Sequence, residues 1–377
     1  MKGKPPSVFK RDNVLVITSL GVCSMSSFPI NQMYYALPYA FKIFVTSLAA
    51  SLKHRQKYGS YFRRYFDFLM SNDIKDQQLK ANEELEEFLA YLKENSSFYG
   101  NQIPQDLYLN KMPVIDKDVV LKNYQKIVMQ KAFKVGRSSG TTGQSLAVPY
   151  AKNAYQKEYA FWWYHRTFAG VKVGDKIATV AGHKIADVNR DVPPFWVFNA
   201  AENQMFFSSY HLSFHNLRHY IEKLNDFKPD FIHGYPSSIY LLARYVLENN
   251  TPLCFVPKMI VTSSETTLDF QRQVIEEAFK SKVYVWYGNT EYCGHITECP
   301  YGRLHVQPYH SLIRVIKENG KDAKTGEVGR IVATNFSNYA FPLINYDTKD
   351  IVKVSRDQNC QCNKGGMVID YIQGRIE

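Results

Sequence analysis

The chain has 377 residues, of which 45% are hydrophobic, 15% aromatic and 21% charged; this balance excludes a disordered chain and leaves room for two or three domains with a sizeable core. Lys and Arg outnumber Asp and Glu by 46 to 35, a net charge of +11, which favours anionic partners (nucleotides, nucleic acid, CoA-like cofactors or an anionic membrane surface) without choosing among them. Six cysteines are too few for a disulfide scaffold, and no apolar run approaches the roughly 18–20 residues that span a bilayer, so a reducing, cytoplasmic location is expected.

In chain order, Lys2, Lys4, Lys10 and Arg11 precede "VLVITSLGVC", which imitates the charged and apolar regions of a secretory leader. Asp12 interrupts the basic part, Thr18 and Ser19 dilute the apolar part, and Val22 is too large for a cleavage site before Cys23, so no leader is expected. From Asn13 to Phe66 there is no Asp or Glu, while Lys42, Lys53, His54, Arg55, Lys57, Arg63 and Arg64 sit among aromatic residues. This span predicts amphipathic helices broken near Pro38 and Gly59. Its basic residues are either simply solvated or dock onto an anionic membrane surface.

"DQQLKANEELEEFLAYLKENSSF" (76–98) predicts a surface helix with Leu85, Phe88, Leu89 and Leu92 on one face. Another helix should start near Asp116, and "YAFWWYHRTFAG" (159–170) should be helical. The pattern then alternates: strands at "DKIATVAGH", "DFIHGY", "KMIVTSS" and "KVYVWYG", helices at "PSSIYLLARYVLENN" and "TLDFQRQVIEEAFK". That alternation predicts an α/β fold with parallel pairing. From Gly302 onward short β-like segments dominate: "RLHVQPYHSLIRVIK", "GEVGRIVATNF" and "DIVKVS". The expected organisation is a helical N-terminal region (1–125), an α/β nucleotide-binding core (126–300) and a small β-rich subdomain (301–372).

Early in the expected core lies "GRSSGTTGQS", where Ser138, Ser139, Gly140, Thr141, Thr142 and Gly143 are consecutive. Glycines permit tight curvature, and converging N–H groups and hydroxyls can cradle a phosphate. It is not a Walker A loop, because Gln144 stands where the lysine would be. Alone, the stretch is either a turn or a phosphate site. Three companions lie at predicted strand ends: "VTSSE" (261–265), "VWYGNTE" (285–291) and "INYDTKD" (344–350). They supply Tyr287 as a flat stacking surface, Glu291 as a candidate Mg²⁺ ligand and Asp350 as an acceptor for two ribose hydroxyls. Open α/β sheets place ligands at such ends.

The order SSGTTG, aromatic-Gly-x-Thr-Glu, Tyr-x-Thr-x-Asp and Gly-Arg resembles the adenylate-forming superfamily. "FIHGYPSSIYLLARYV" and "GEVGRIVATNFSNYAFPLINYDTKDIV" look most like its phenylacetate-CoA ligase branch, especially the CapK-like capsular polysaccharide members. The resemblance implies ATP-dependent activation of a carboxylic acid through an acyl-adenylate, with CoA or another thiol as acceptor. It implies that Ser138 to Gly143 hold the β- and γ-phosphates, and that Ser264 and Glu265 border the adenine. Tyr287 would lie against the ring, on the segment Gly288, Asn289 and Thr290. Thr142 and Glu291, the implied catalytic pair, would place Mg²⁺, Asp350 would bind ribose, and Arg375 would be the hinge arginine. Residues 373–377 would be that hinge, and the family's mobile C-terminal domain with its lysine is expected to be absent. The usual Tyr-Arg-Thr-Gly-Asp reads here Tyr346-Asp347-Thr348-Lys349-Asp350.

Phe161, Trp162, Trp163 and Tyr164 are then either core or acyl-pocket wall, with Trp196 and Tyr235 as further wall candidates. His165, His183 and His233 are given no role as bases. Cys299-x5-His305 and Cys360-x-Cys362 offer three thiolates and an imidazole, a set suited to a structural tetrahedral zinc; the alternative is four unliganded side chains. Cys293 is expected to be a buried filler. Two functions stay open: a carboxylate-activating enzyme in surface-polysaccharide metabolism, or a catalytically impaired nucleotide-binding scaffold of the same pathway. No motif supports nucleic-acid binding.

Overall fold

A computed structural model describes residues 28–138 and 144–374. The leader question at residues 1–27, the loop residues Ser139, Gly140, Thr141, Thr142 and Gly143, and Arg375 lie outside the described residues.

The acid-free segment forms α1 (Phe28–Ala36), α2 (Tyr39–Lys57) and α3 (Ser60–Ser71), interrupted at Pro38 and Gly59 as the sequence predicts. Proline cannot continue a helix interior but suits its start. The charged helix is α4 (Ile74–Asn95), started by Asp73, whose carboxylate accepts from the backbone N–H of Lys75 at 2.8 Å and Asp76 at 3.0 Å; such a cap satisfies donors that have no intrahelical partner. Asp116 does the same for α5 (Lys117–Lys122), accepting from Val119 N at 3.1 Å, and α6 (Tyr124–Ile127) follows. Strands β1 (Lys134–Arg137) and β2 (Ala147–Tyr150) pair antiparallel on either side of the "GRSSGTTGQS" stretch in the sequence, and α7 (Lys152–Thr167) holds the aromatic stripe.

The remaining elements build one twelve-stranded sheet. In chain order they are β3 (Ile177–Ala181), β4 (Trp196–Asn199), β5 (Gln204–Ser208), α8 (Leu217–Phe227), β6 (Phe231–Gly234), α9 (Pro236–Glu248), β7 (Met259–Ser263), α10 (Asp269–Phe279) and β8 (Val283–Gly288). Then come β9 (His295–Glu298), β10 (Leu304–Val306), β11 (Leu312–Ile316), β12 (Val328–Thr334), β13 (Tyr346–Val354) and β14 (Val368–Gln373). Strands β5, β3, β6, β7 and β8 are parallel, with β4 antiparallel at their edge. Every pairing from β8 through β9, β10, β14, β13 and β12 to β11 is antiparallel. Strands of the expected α/β and β-rich segments are therefore hydrogen-bonded in a single sheet.

The parallel strands are apolar on both faces, as a sheet covered on both sides requires. Ala178, Val180, Ile232, Ile260 and Val283 pack with α8, α9 and α10. Ile177, Phe231, Met259, Val261 and Tyr284 face the other way and join a core with α3, α4 and α7, including Phe88, Leu89 and Leu92.

Candidate active site

The cleft runs along β8, from the C-terminal ends of β6, β7 and β8, where the sheet changes from parallel to antiparallel, to the turn between β9 and β10. It has a volume of about 1470 Å³ and is lined by Ser138, Trp162, His233, Ser264, Glu265, Tyr287 to Glu291, Asp350 and Gly374, among others. The two glycine-hydroxyl flanks are fixed: Ser138 Oγ accepts from Leu146 N at 3.0 Å, and Ser145 Oγ donates to the Ser138 carbonyl at 2.7 Å. The hairpin is tied to the strand-end segment because the Tyr150 hydroxyl donates to the Thr290 carbonyl at 2.6 Å and its ring stacks on Tyr292 at 4.3 Å. Gly136 is needed for this approach, since a Cβ there would run into the Tyr150 hydroxyl and the Thr290 methyl.

On the sheet side, Ser264 follows β7 with φ +68°, a left-handed conformation unusual for serine. Glu265 turns back and accepts from Ser237 N at 3.3 Å, at the start of α9. Asn289 closes the turn after β8, its side-chain oxygen accepting from Cys293 N at 2.8 Å, and Cys293 is buried as expected. Glu291 is buried; its carboxylate accepts from the Tyr346 hydroxyl at 3.3 Å and its carbonyl from Asn335 Nδ2 at 3.0 Å. The Tyr287 hydroxyl donates to Asp350 Oδ2 at 2.7 Å; burial and the neighbouring carboxylate hold its pKa well above the ordinary tyrosine range. Two tyrosine–carboxylate contacts thus join residues 287–291 to residues 346–350.

One expectation is corrected. "INYDTKD" does not end a strand: Tyr346 begins β13, and Asp350 lies within it. The strand continues past the site because its register against β12 shifts between Arg330 and Val332, so extra residues are accommodated around 348–350. Such a bulge re-aims side chains next to a site. Lys349 takes φ +66° there, and its backbone N–H donates to Asp347 Oδ1 at 2.9 Å. Of the aromatic wall candidates, Trp162 lines the cleft, whereas Phe161, Trp163 and Tyr164 are buried core. Trp196 packs against Phe195, Phe207 and Tyr220 at the far sheet edge, and Tyr235 approaches Gly182. Gly374, the last described residue, lines the cleft on the side of Thr266.

Four residues beneath the cleft were not singled out by sequence. Glu158 and Arg166 of α7 are charged residues in an aromatic helix, which is the signal that could have found them. Glu158 meets His310 Nε2 at 2.7 Å. His295 stacks on His310 at 4.4 Å, with both ring nitrogens lacking a hydrogen-bond partner. The fully buried Arg166 guanidinium lies over the rings of Trp162 and Trp286 at 3.9 and 4.6 Å. Burial lowers the His310 pKa to about 3, so its ring is neutral, and raises that of Glu158.

A second constellation joins the β9–β10 turn to the β13–β14 loop. The ligand atoms of Cys299, His305, Cys360 and Cys362 all lie within 4.8 Å of one another. Cys299 Sγ and Cys360 Sγ are 3.8 Å apart, and Cys362 Sγ is 3.4 Å from His305 Nε2. A tetrahedron with zinc–sulfur bonds of about 2.3 Å has edges of about 3.8 Å, so the donors fit that ion. His305 Nδ1 faces the Gly366 carbonyl at 3.3 Å, leaving Nε2 for a ligand role. Hydrogen bonding by Cys362 and His305 pulls the Cys299 thiol well below its ordinary pKa.

No protein-family model matches the chain. It is 30% identical over 360 residues to Protein CapK of Staphylococcus aureus, covering 92% of this chain and 78% of that protein. It is 22% identical over 323 residues to the phenylacetate-coenzyme A ligase of Thermus thermophilus, covering 80% and 71%. Its fold matches the crystal structure of 2-hydroxyisobutyryl-CoA ligase in the postadenylation state, bound to 2-HIB-AMP, with TM-score 0.58 and 16% identity over 81% of this chain and 69% of that one. The same ligase with 2-HIB-AMP and CoA, in the thioesterification state, covers 92% of this chain and 70% of its own at TM-score 0.51. A relative this similar across so much of both sequences settles the kinship: the chain belongs to the CapK-like, phenylacetate-CoA ligase branch of the adenylate-forming superfamily.

Proposed function

We propose that the protein uses ATP and Mg²⁺ to convert a small carboxylic acid to an acyl-adenylate, that CoA or another thiol accepts the acyl group, and that this serves capsular polysaccharide biosynthesis. The carrying observation is the pair of contacts Tyr287–Asp350 and Glu291–Tyr346, which tie the segment ending β8 to the bulged start of β13 at one cleft. A substrate carboxylate attacks the α-phosphorus and pyrophosphate leaves; the thiol then attacks the carbonyl and AMP leaves. In this reading Ser138 to Gly143 would hold the leaving pyrophosphate. Ser264, Glu265, Tyr287 and the Gly288 to Thr290 segment border the base. Asp350 binds the ribose, oriented by Tyr287, and Arg375 closes on it from the hinge. Glu291 and Thr142 would hold Mg²⁺, which when bound offsets phosphate charge. Positioning and charge stabilisation are most of what a protein contributes to such chemistry. The capsular assignment rests on the kinship with CapK. Cys299, His305, Cys360 and Cys362 would hold one structural Zn²⁺, with no open position for catalysis.

ATP–pyrophosphate exchange across a panel of carboxylic acids tests this reading. One acid or a few should support exchange, and Glu291→Gln should lower it about 10²-fold or more with an unchanged circular dichroism spectrum. Measurable ATP binding without exchange for any acid would leave the scaffold reading in its place.

A further inference from the structure

The helix α2 is amphipathic in the reverse sense. Its protein-facing side is polar: Lys42 and Thr46 are buried, and the Lys42 ammonium lies 5.8 Å from the centre of the Tyr34 ring. Ser47 Oγ accepts from Ala200 N at 2.9 Å, beside β4, and Lys57 pairs with Glu202 at 2.7 Å. Its solvent side carries Phe41, Phe44, Leu48 and Leu52, which are 59%, 62%, 50% and 67% exposed. At about 100° per residue these four fall within an arc of about 80°. Arg55, also exposed, continues the stripe one turn on.

Surface helices ordinarily bury the apolar stripe and expose the polar one. Single exposed apolar residues are unremarkable, but a contiguous stripe of large ones marks a binding face. Charge selects the occupant. The segment Asn13–Phe66 has no acidic residue, and Arg55, Arg63 and Arg64 are exposed. A two-fold-related copy would set these cations against themselves, whereas an anionic bilayer complements them. Among the described residues no helix is long and apolar enough to cross a membrane, so α2 would lie in the plane of the interface.

We propose that α2 seats the protein on an anionic bilayer surface, with Phe41, Phe44, Leu48 and Leu52 entering the boundary between headgroups and acyl chains and Arg55 meeting lipid phosphates. The polar underside stays bonded to the fold, so docking needs no unfolding. This inference is independent of the adenylation chemistry.

The test is sedimentation of the full chain with vesicles of phosphatidylcholine containing about one-third phosphatidylglycerol, against phosphatidylcholine alone. The protein should bind the anionic vesicles preferentially and release in high salt. The variant Phe44→Ser/Leu48→Ser/Leu52→Ser should bind about tenfold less or weaker still, while keeping its melting temperature and its solution exchange activity. Arg55→Glu should reduce the preference for anionic over neutral vesicles. Wild-type protein that ignores anionic vesicles, or a triple variant that binds them as well as wild type, would overturn the proposal. So would a wild-type dimer that the triple variant converts to monomer with no vesicle binding by either, since the stripe would then be a contact between copies.

Discussion

Lys157 shows how far a single side chain can be driven from its solution behaviour. Fully buried on α7, its ammonium donates to Ser337 Oγ at 2.6 Å, lies 3.3 Å from Glu84, and is boxed by the rings of Tyr65, Tyr309 and Phe336 at 4.9, 4.3 and 4.6 Å. Burial lowers its pKa from 10.5 to about 8, against the opposing pull of Glu84. A depressed cation destabilises the fold wherever it must stay charged. Between about pH 8 and 10.5 the unfolded chain binds a proton that the folded chain does not, so this group's contribution to stability rises with pH across that window. Lys157→Met should remove the dependence, and the wild-type stability measured by urea unfolding should gain on the variant by up to about 2 kcal/mol from pH 8 to pH 10. A pH-independent difference would show that the lysine stays charged in its box. Nothing in the sequence distinguishes Lys157 from a solvated lysine. Its neighbours come from α3, α4, the β10–β11 loop and the β12–β13 loop, contacts that only tertiary packing creates.

Among the elements, what was legible in the sequence is what depends on local chemistry. Pro38, Gly59, Asp73 and Asp116 set helix limits through backbone geometry and capping, and the two-sided apolar runs of β3, β6, β7 and β8 read as covered strands. The edge pair β4 and β5, the short β9 and the last strand β14 carry no comparable pattern, because their partners rather than their residues define them. The site was legible as an order of motifs, and β7 and β8 end where the sequence places them. The bulge in β13 was not, since register is a property of two strands. The loop between β13 and β14 is the element with most to lose from a missing ion. Cys360 and Cys362 should bind about one equivalent of zinc together with Cys299 and His305, measured by metal analysis of purified protein. Cys360→Ser/Cys362→Ser should lose the metal and about 2–5 kcal/mol of stability, comparable to loss of a structural cross-link. Metal-free wild-type protein would remove zinc from the account.

For the whole molecule, the continuous sheet makes a mechanical statement. The parallel and antiparallel halves meet at β8 and β9, and the cleft contacts Tyr287–Asp350 and Glu291–Tyr346 bridge the same seam. Unfolding should therefore be one cooperative event. The four tryptophans lie on α7, β4 and β8, so their fluorescence reports one half while circular dichroism reports both. The two urea curves should coincide, and a separate fluorescence transition would show the halves to be separable. The sequence anticipated α/β and β-rich segments by their differing rhythms, but which strands join them is decided by pairing across long chain separations.

The bulged strand also constrains how this sequence can change. Asp347, almost fully buried, pairs with Arg330 on the neighbouring strand and with Lys349 at 3.2 Å, while Lys349 also reaches Asp116 at 3.6 Å. Where the family writes arginine then glycine, this chain writes acid then base, and it draws the cation from the strand beside it. Restoring arginine at 347 alone would place a positive charge beside Arg330 and Lys349 in a buried site, which costs more than either family pattern left intact. Positions 330, 347 and 349 are therefore energetically coupled: Asp347→Arg should destabilise the fold more than the same change made together with the loss of both neighbouring cations, as urea unfolding of the two variants would show.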